Sequence, residues 1–175
     1  MSHPAPATPA ARAVARPDIA PDTLPALLRD FYGRAFADEL LGPVFVDIAR
    51  MDLERHLPVI GEFWSTVLFG TQQYRRNALQ PHLRLHRRAG LTPDHFERWL
   101  ELWTGTLDDR HAGPVAELAR VQATRIASAM TRRVTGIASD RIDAQLVRTP
   151  GRGRARPGEP AQTDPAATTP TPKDL

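Results

Sequence analysis

The sequence predicts an all-α protein, on three observations. Apolar residues recur at three- and four-residue spacing through the middle of the chain, Gly and Pro mark the breaks between those runs, and neither strand-like alternation nor an internal repeat occurs. The 175 residues suggest one domain able to bury a core without disulfides or metals.

The first helix follows Thr23, a candidate cap, with Leu24, Leu27, Leu28, Phe31, Ala35 and Phe36 on one stripe, and ends near Asp38 before the turn Leu41-Gly42-Pro43-Val44-Phe45. A second runs from about Asp52 to Phe69. His56, Ile60, Phe63 and Val67 form one stripe, Leu57, Trp64 and Leu68 lie beside it, and Gly70 is the stop. Pro58 fits only near a helix start, which agrees with a beginning at Met51 or Asp52. Between Thr71 and Gly90 the pattern is poor, and a short helix around Asn77 to Arg87 carries His82. Thr92-Pro93-Asp94 then opens a helix with a hydroxyl, a proline in the first position and a carboxylate at the positive dipole end. Its inward positions are Phe96, Trp99, Leu100, Trp103, Thr106 and Leu107. After Gly113-Pro114, the residues Leu118, Val121, Ile126, Met130, Val134 and Ile137 predict one last long helix.

Both ends have another character. Six of the 17 prolines fall in residues 1–25 and six in 150–172. Such Ala/Pro/Thr- and Gly/Arg/Pro/Thr-rich segments bury too little apolar surface to offset the entropy of ordering. The expected organisation is a disordered extension over 1–22, a folded domain over 23–147 and a disordered tail over 148–175. The pI near 10.1 overstates the basic character, because the formal net charge is +3 and the tail alone contributes +2. No nucleic-acid partner is expected of the nearly neutral core. With no cysteine, disulfides, thiolate metal sites and thiol nucleophiles are excluded. No apolar run reaches the length of a membrane span and no secretory signal pattern opens the chain, so no membrane association and a cytoplasmic location are expected.

The candidates for chemistry are histidines and aromatics. His82 and His86 stand four apart as in a zinc protease helix, but Leu83 occupies the place of the glutamate base, and a structural zinc site would lack further ligands. Taken singly, Trp64, Trp99 and Trp103 are ordinary core anchors and Tyr32 can point its hydroxyl at water. Read together, one neutral imidazole facing a polar aromatic cluster across an apolar slot is the minimum that holds a haem iron and a diatomic gas.

Phe31-Tyr32, the Leu41-Gly42-Pro43-Val44-Phe45 turn, His56 eight residues before Trp64, His82 eighteen after it, and Thr-Pro-Asp-His-Phe-Glu-Arg-Trp-Leu at 92–100 together resemble the truncated haemoglobins, specifically group III, over about residues 24–130. The resemblance implies a truncated globin, a two-over-two helical sandwich, holding haem b with His82 as the iron ligand. It places Tyr32, His56 and Trp99 on the distal side and Leu57, Ile60 and Phe63 in the apolar wall. It implies reversible binding of dioxygen, nitric oxide or other diatomics. An enzymatic use of the same centre, as a nitric oxide dioxygenase or a peroxidase-like enzyme, is the alternative, and it requires an external reductant protein because the chain carries no flavin or nicotinamide motif. A haem-free helical interaction or sensor module is the third reading. The chain departs from the family where Arg75-Arg76 follow Tyr74 in place of glycine and proline, and where the basic segment Leu85 to Gly90 replaces a short join. Arg75, Arg76, His86 and Arg87 are candidate partners of the haem propionates, with solvated surface charge the plainer reading.

Overall fold

A computed structural model of the chain describes residues 15–148. Its helices in chain order are α1 (Leu24–Ala37), α2 (Leu53–Phe69), α3 (Leu79–Ala89), α4 (Pro93–Arg110), α5 (Pro114–Thr135) and α6 (Asp140–Arg148), with a π-helical turn over Pro43–Ile48 between the first two. No strand occurs among the described residues, and none of their helices is long and apolar enough to cross a membrane.

α1 and α2 pack on each other, as do α4 and α5, while α1 lies on α4 and α2 on α5. This is the expected two-over-two sandwich. α3 is peripheral, leaning on α5 and on the π-helical turn, and buries no residue fully.

Several local features follow the sequence. Asp52 caps α2 by accepting the N–H of Arg55 at 3.2 Å, and Pro58 falls in the second turn of that helix. Gly90 ends α3 in the left-handed conformation that glycine adopts without steric cost, its N–H returning to the His86 carbonyl. Others differ. Thr23 occupies the cap position of α1, but its hydroxyl pairs with Ala20, accepting its N–H at 2.9 Å and donating to its carbonyl at 3.0 Å. The Gly42-Pro43 turn winds into the π-helical turn.

The expected last helix is two. Gly136, at φ +75°, terminates α5, and Ser139 restarts the chain by accepting the N–H of Ile142 at 3.2 Å. Ile137, expected inside, is exposed. The buried residues of α5 are Ala116, Ala119, Ala123, Ala127 and Val134, as expected of the last, with Thr124, Ser128 and Thr131. Small residues let α5 approach the bulky aromatics of α4, so apart from Val134 the buried stripe is set by small size and not by the larger apolar residues that outlined the helix. Arg132 and Ser128 both bond Asp143 at 2.7 Å, tying α6 to α5.

The folded region reaches in front of the boundary expected at Thr23. Ile19 is 3% exposed, Pro17 accepts the N–H of Ala112, and Asp18 accepts the N–H groups of Val115 and Ala116 at 2.9 and 2.8 Å. Residues 17–22 were assigned to an extension for their prolines, and they cap α5 from 97 residues away in sequence. The expected tail, apart from Arg148, and residues 1–14 lie outside the described residues.

Three tryptophans brace the centre. Trp103 is fully buried, stacked on Trp64 at 4.3 Å between ring centroids and parallel to Trp99 at 5.9 Å, with Phe31 edge-on to it at 5.2 Å. Aromatic pairs of this kind are worth about 0.5–1.5 kcal/mol each beyond their buried area.

Candidate functional site

A cavity of about 230 Å³ opens between α2, α3, α4 and α5, beside the π-helical turn. Of the residues singled out in the sequence, Tyr32, Ile60, Phe63, His82 and Trp99 line it. Leu57 and His56 do not. Leu57 is buried in the core near the start of α2, two turns before Trp64, the residue of the same stripe that does line the cavity. His56 shares the stripe of Ile60 but sits one turn nearer the start of α2, exposed, with Nδ1 2.8 Å from the Asp52 carbonyl. That bond folds the ring against its own first turn and outside the cavity.

Tyr32 and Trp99 reach the cavity from α1 and α4. Tyr32 is fixed by edge contacts with Phe31 at 4.9 Å and Phe45 at 5.9 Å, and its hydroxyl has no hydrogen-bond partner among the described residues. Burial pushes that hydroxyl well above the usual tyrosine range, so it stays a neutral donor. Trp99 is held by Phe31, edge-on at 5.5 Å.

Two histidines line the cavity, and their backbone partners assign them opposite tautomers. Nδ1 of His82 lies 2.7 Å from the carbonyl of Ala78. A carbonyl only accepts, so Nδ1 carries the proton and the lone pair of Nε2 is free for a metal. Nδ1 of His95 accepts the N–H of Thr92 at 3.1 Å, with the Thr92 hydroxyl 2.9 Å away. A backbone N–H only donates, so the proton of His95 is on Nε2. Burial keeps the His95 pKa below the ordinary value, against the charge of Asp94, and the ring is neutral near pH 7. His95 therefore takes the part of the glutamate in a capping box and serves as a hydrogen-bond donor.

Sequence reasoning missed His95 and Tyr74 as cavity residues. His95 stands four residues before Trp99 and so on the same face of α4, a signal that was available. Tyr74 lies in the loop before α3, where no periodicity speaks. It rests edge-on against Phe63 at 5.2 Å, and burial raises its hydroxyl pKa, with Arg76 acting against and Glu62 in favour. His86, the other candidate zinc residue, is outside the cavity, with Nδ1 3.1 Å from the Leu91 carbonyl.

No family model matches the sequence. Among curated proteins, the "Group 3 truncated hemoglobin ctb" of Campylobacter jejuni is 27% identical over 110 residues, covering 61% of this chain and 84% of its own length. A crystal structure of the group III truncated hemoglobin from Campylobacter jejuni superposes with a TM-score of 0.60 at 26% identity, covering 69% of this chain and 95% of that one. By its two-over-two fold the chain is a truncated globin. In both sequence and structure it is similar to the group III truncated haemoglobins.

Proposed function

We propose that the cavity holds haem b with His82 as the residue that would bind its iron, and that the protein reversibly binds dioxygen, nitric oxide or a related diatomic there. The observation that carries this reading is the donor set. One cavity histidine is left with a free Nε2 lone pair, and an unpartnered neutral phenol shares the same apolar walls. A haem held there would supply an iron able to bind an imidazole nitrogen and a diatomic gas.

The chain's own residues do the rest. The Ala78 carbonyl fixes the tautomer and the orientation of the His82 ring. Tyr32 offers an O–H, and Trp99 an indole N–H, to partial negative charge developing in the slot. Ile60, Phe63, Phe96 and Met130 keep water out, and the low dielectric strengthens each of those hydrogen bonds. His95 holds its proton on Nε2 and can bind a metal only by giving up its cap.

The reading is tested by titrating the purified chain with haemin and following tryptophan emission. Trp64 and Trp99 line the cavity, so emission quenches to a break at one equivalent as a sharp visible band grows. Linear, unsaturable quenching with no such band overturns it. Enzymatic use of the site needs electrons from another protein.

A further inference from the structure

We propose that the loop before α3 and the outer face of that helix form a docking surface for an acidic one-electron donor protein. This rests on the reading of the cavity as a haem site and adds a partner to it. Residues 71–91 hold Arg75, Arg76, Arg84, Arg87 and Arg88 and no Asp or Glu, a formal charge of +5. The rest of residues 15–148 has thirteen arginines against seventeen Asp and Glu, which is −4. A nearly neutral domain is thus strongly polarised.

Elsewhere among the described residues seven of the thirteen arginines meet a carboxylate. Arg29, Arg34, Arg98, Arg110, Arg120, Arg132 and Arg141 each pair with a carboxylate. None of the five in residues 71–91 forms an ion pair among the described residues, and all five are exposed. Arg88 donates to the Ile48 carbonyl, a neutral acceptor. Arg84 lies one turn from Arg87 and Arg88, so like charges crowd one helix face and repel. The negative end of the helix dipole accounts for Arg87 and Arg88 in the last turn. It does not account for Arg84 in mid-helix or for the two arginines in the loop. The fold gains nothing from them.

Their place points to the occupant. The inner stripe of the same segment, Ala78, Pro81, His82 and Leu85, lines the cavity. The basic face is the back of the wall that carries the proposed iron ligand. A helix with its side chains is about 10–12 Å across, so a carrier seated there is separated from the site by one helix. Electron-transfer complexes are small, weak and steered by complementary charge, which a patch without exposed large apolar residues suits. A nucleic acid would match the charge, but single strands need an exposed aromatic for base stacking, and the one aromatic of this segment, Tyr74, lines the cavity. In the step itself, one electron leaves the reduced donor and converts ferric to ferrous iron, and no atom is transferred.

The test uses the haem-loaded full chain and reduced flavodoxin, an acidic flavin carrier, as probe. The second-order rate of reduction should fall about tenfold or more between low and high ionic strength. The variant Arg75→Gln/Arg76→Gln/Arg84→Gln/Arg87→Gln, which leaves Arg88 on Ile48, should lose about tenfold at low salt and flatten the salt dependence. Arg125→Gln/Arg133→Gln on α5, also exposed and unpaired, should match wild type. Equilibrium binding of flavodoxin to the full chain as purified, followed by amide shifts, provides a second readout, with the shifts centred on α3. A salt-independent rate, or a quadruple variant equal to wild type, overturns the proposal, as does tighter binding of duplex DNA or anionic vesicles at the same salt. Salt-dependent binding without haem uptake upholds the docking surface and overturns the haem reading alone. Haem uptake without binding does the reverse.

Discussion

The Nδ1 of His82 lies 2.7 Å from the carbonyl oxygen of Ala78, one turn earlier along the chain, and this one hydrogen bond decides which nitrogen of the ring faces outward as a base. The opposite bond, from the N–H of Thr92 to Nδ1 of His95, makes the second cavity histidine a donor. Two residues of one type, on one cavity, are given different chemistry by the backbone groups beside them.

His95 is predicted to be a structural cap and not an iron ligand. Replacing His95 with Ala should cost about 0.5–2 kcal/mol in urea unfolding, the usual range for a lost helix cap. The spectrum of the reduced carbon monoxide complex should keep its histidine-ligated form. A variant of unchanged stability but altered ligation would contradict the assignment.

Tyr32 should retain bound oxygen. A hydrogen bond to a charged acceptor is worth about 1.5–3 kcal/mol, so Tyr32→Phe should raise the oxygen dissociation rate by roughly ten- to hundredfold in stopped flow. The pH dependence has a definite sign. A free tyrosine ionises near about pH 10 and then ceases to donate. The buried hydroxyl of Tyr32 has its pKa pushed above that, so it keeps its proton and the wild-type rate should stay flat as pH passes 10. A rate that climbs through pH 10 in wild type, and not in Tyr32→Phe, would show an ordinary, accessible phenol.

His56 is exposed and bonded to the start of its own helix. His56→Ala should leave haem uptake at one equivalent and change stability by no more than about 0.5 kcal/mol. Loss of haem on this substitution would mean that the ring enters the cavity when the cofactor is present.

Asp18 should tie the chain before α1 to α5. Burial raises its pKa, but the hydrogen bonds from Val115, Ala116 and Ile19 outweigh this and, with the charge of His111, hold it below the usual carboxylate value. Its stabilising contribution is therefore complete above the unfolded pKa of about 3.9 and is lost as pH falls through the depressed folded value. Asp18→Ala should cost about 0.5–2 kcal/mol at neutral pH, and the deficit should shrink as the solution is acidified. Gly113→Ala should also destabilise, since the added Cβ would lie 2.4 Å from the Asp18 carboxyl carbon, at a backbone φ of +143°. Equal stability of Asp18→Ala and wild type at pH 7 would remove Asp18 from the account.

Much of this was legible in the sequence, and the failures have physical causes. The helix starts at Asp52 and Pro93 were readable because a cap or a proline acts locally. The six-residue reach before Thr23 was hidden, because proline content speaks for an open chain while the bonds of Asp18 depend on residues nearly a hundred positions away. The alanine face of α5 was hidden because periodicity weighs apolar size, whereas packing against Trp103 selects smallness. At the site, the resemblance named Tyr32, Ile60, Phe63, His82 and Trp99, which line the cavity, together with Leu57 and His56, which do not. His56 lies outside the cavity, since helical spacing fixes a stripe but not how far along it the cavity ends. His95 was passed over because its tautomer follows from a hydrogen bond that only the folded chain makes.

The central claim, that His82 presents Nε2 to an iron, is tested most directly by the absorption spectrum of the haem-loaded, dithionite-reduced protein under carbon monoxide, for wild type and His82→Ala, with and without added imidazole. Wild type should show a sharp carbonyl Soret band, the variant should lose or displace it, and imidazole should restore it. A His82→Ala spectrum identical to wild type without imidazole would assign the iron to another residue and contradict the account.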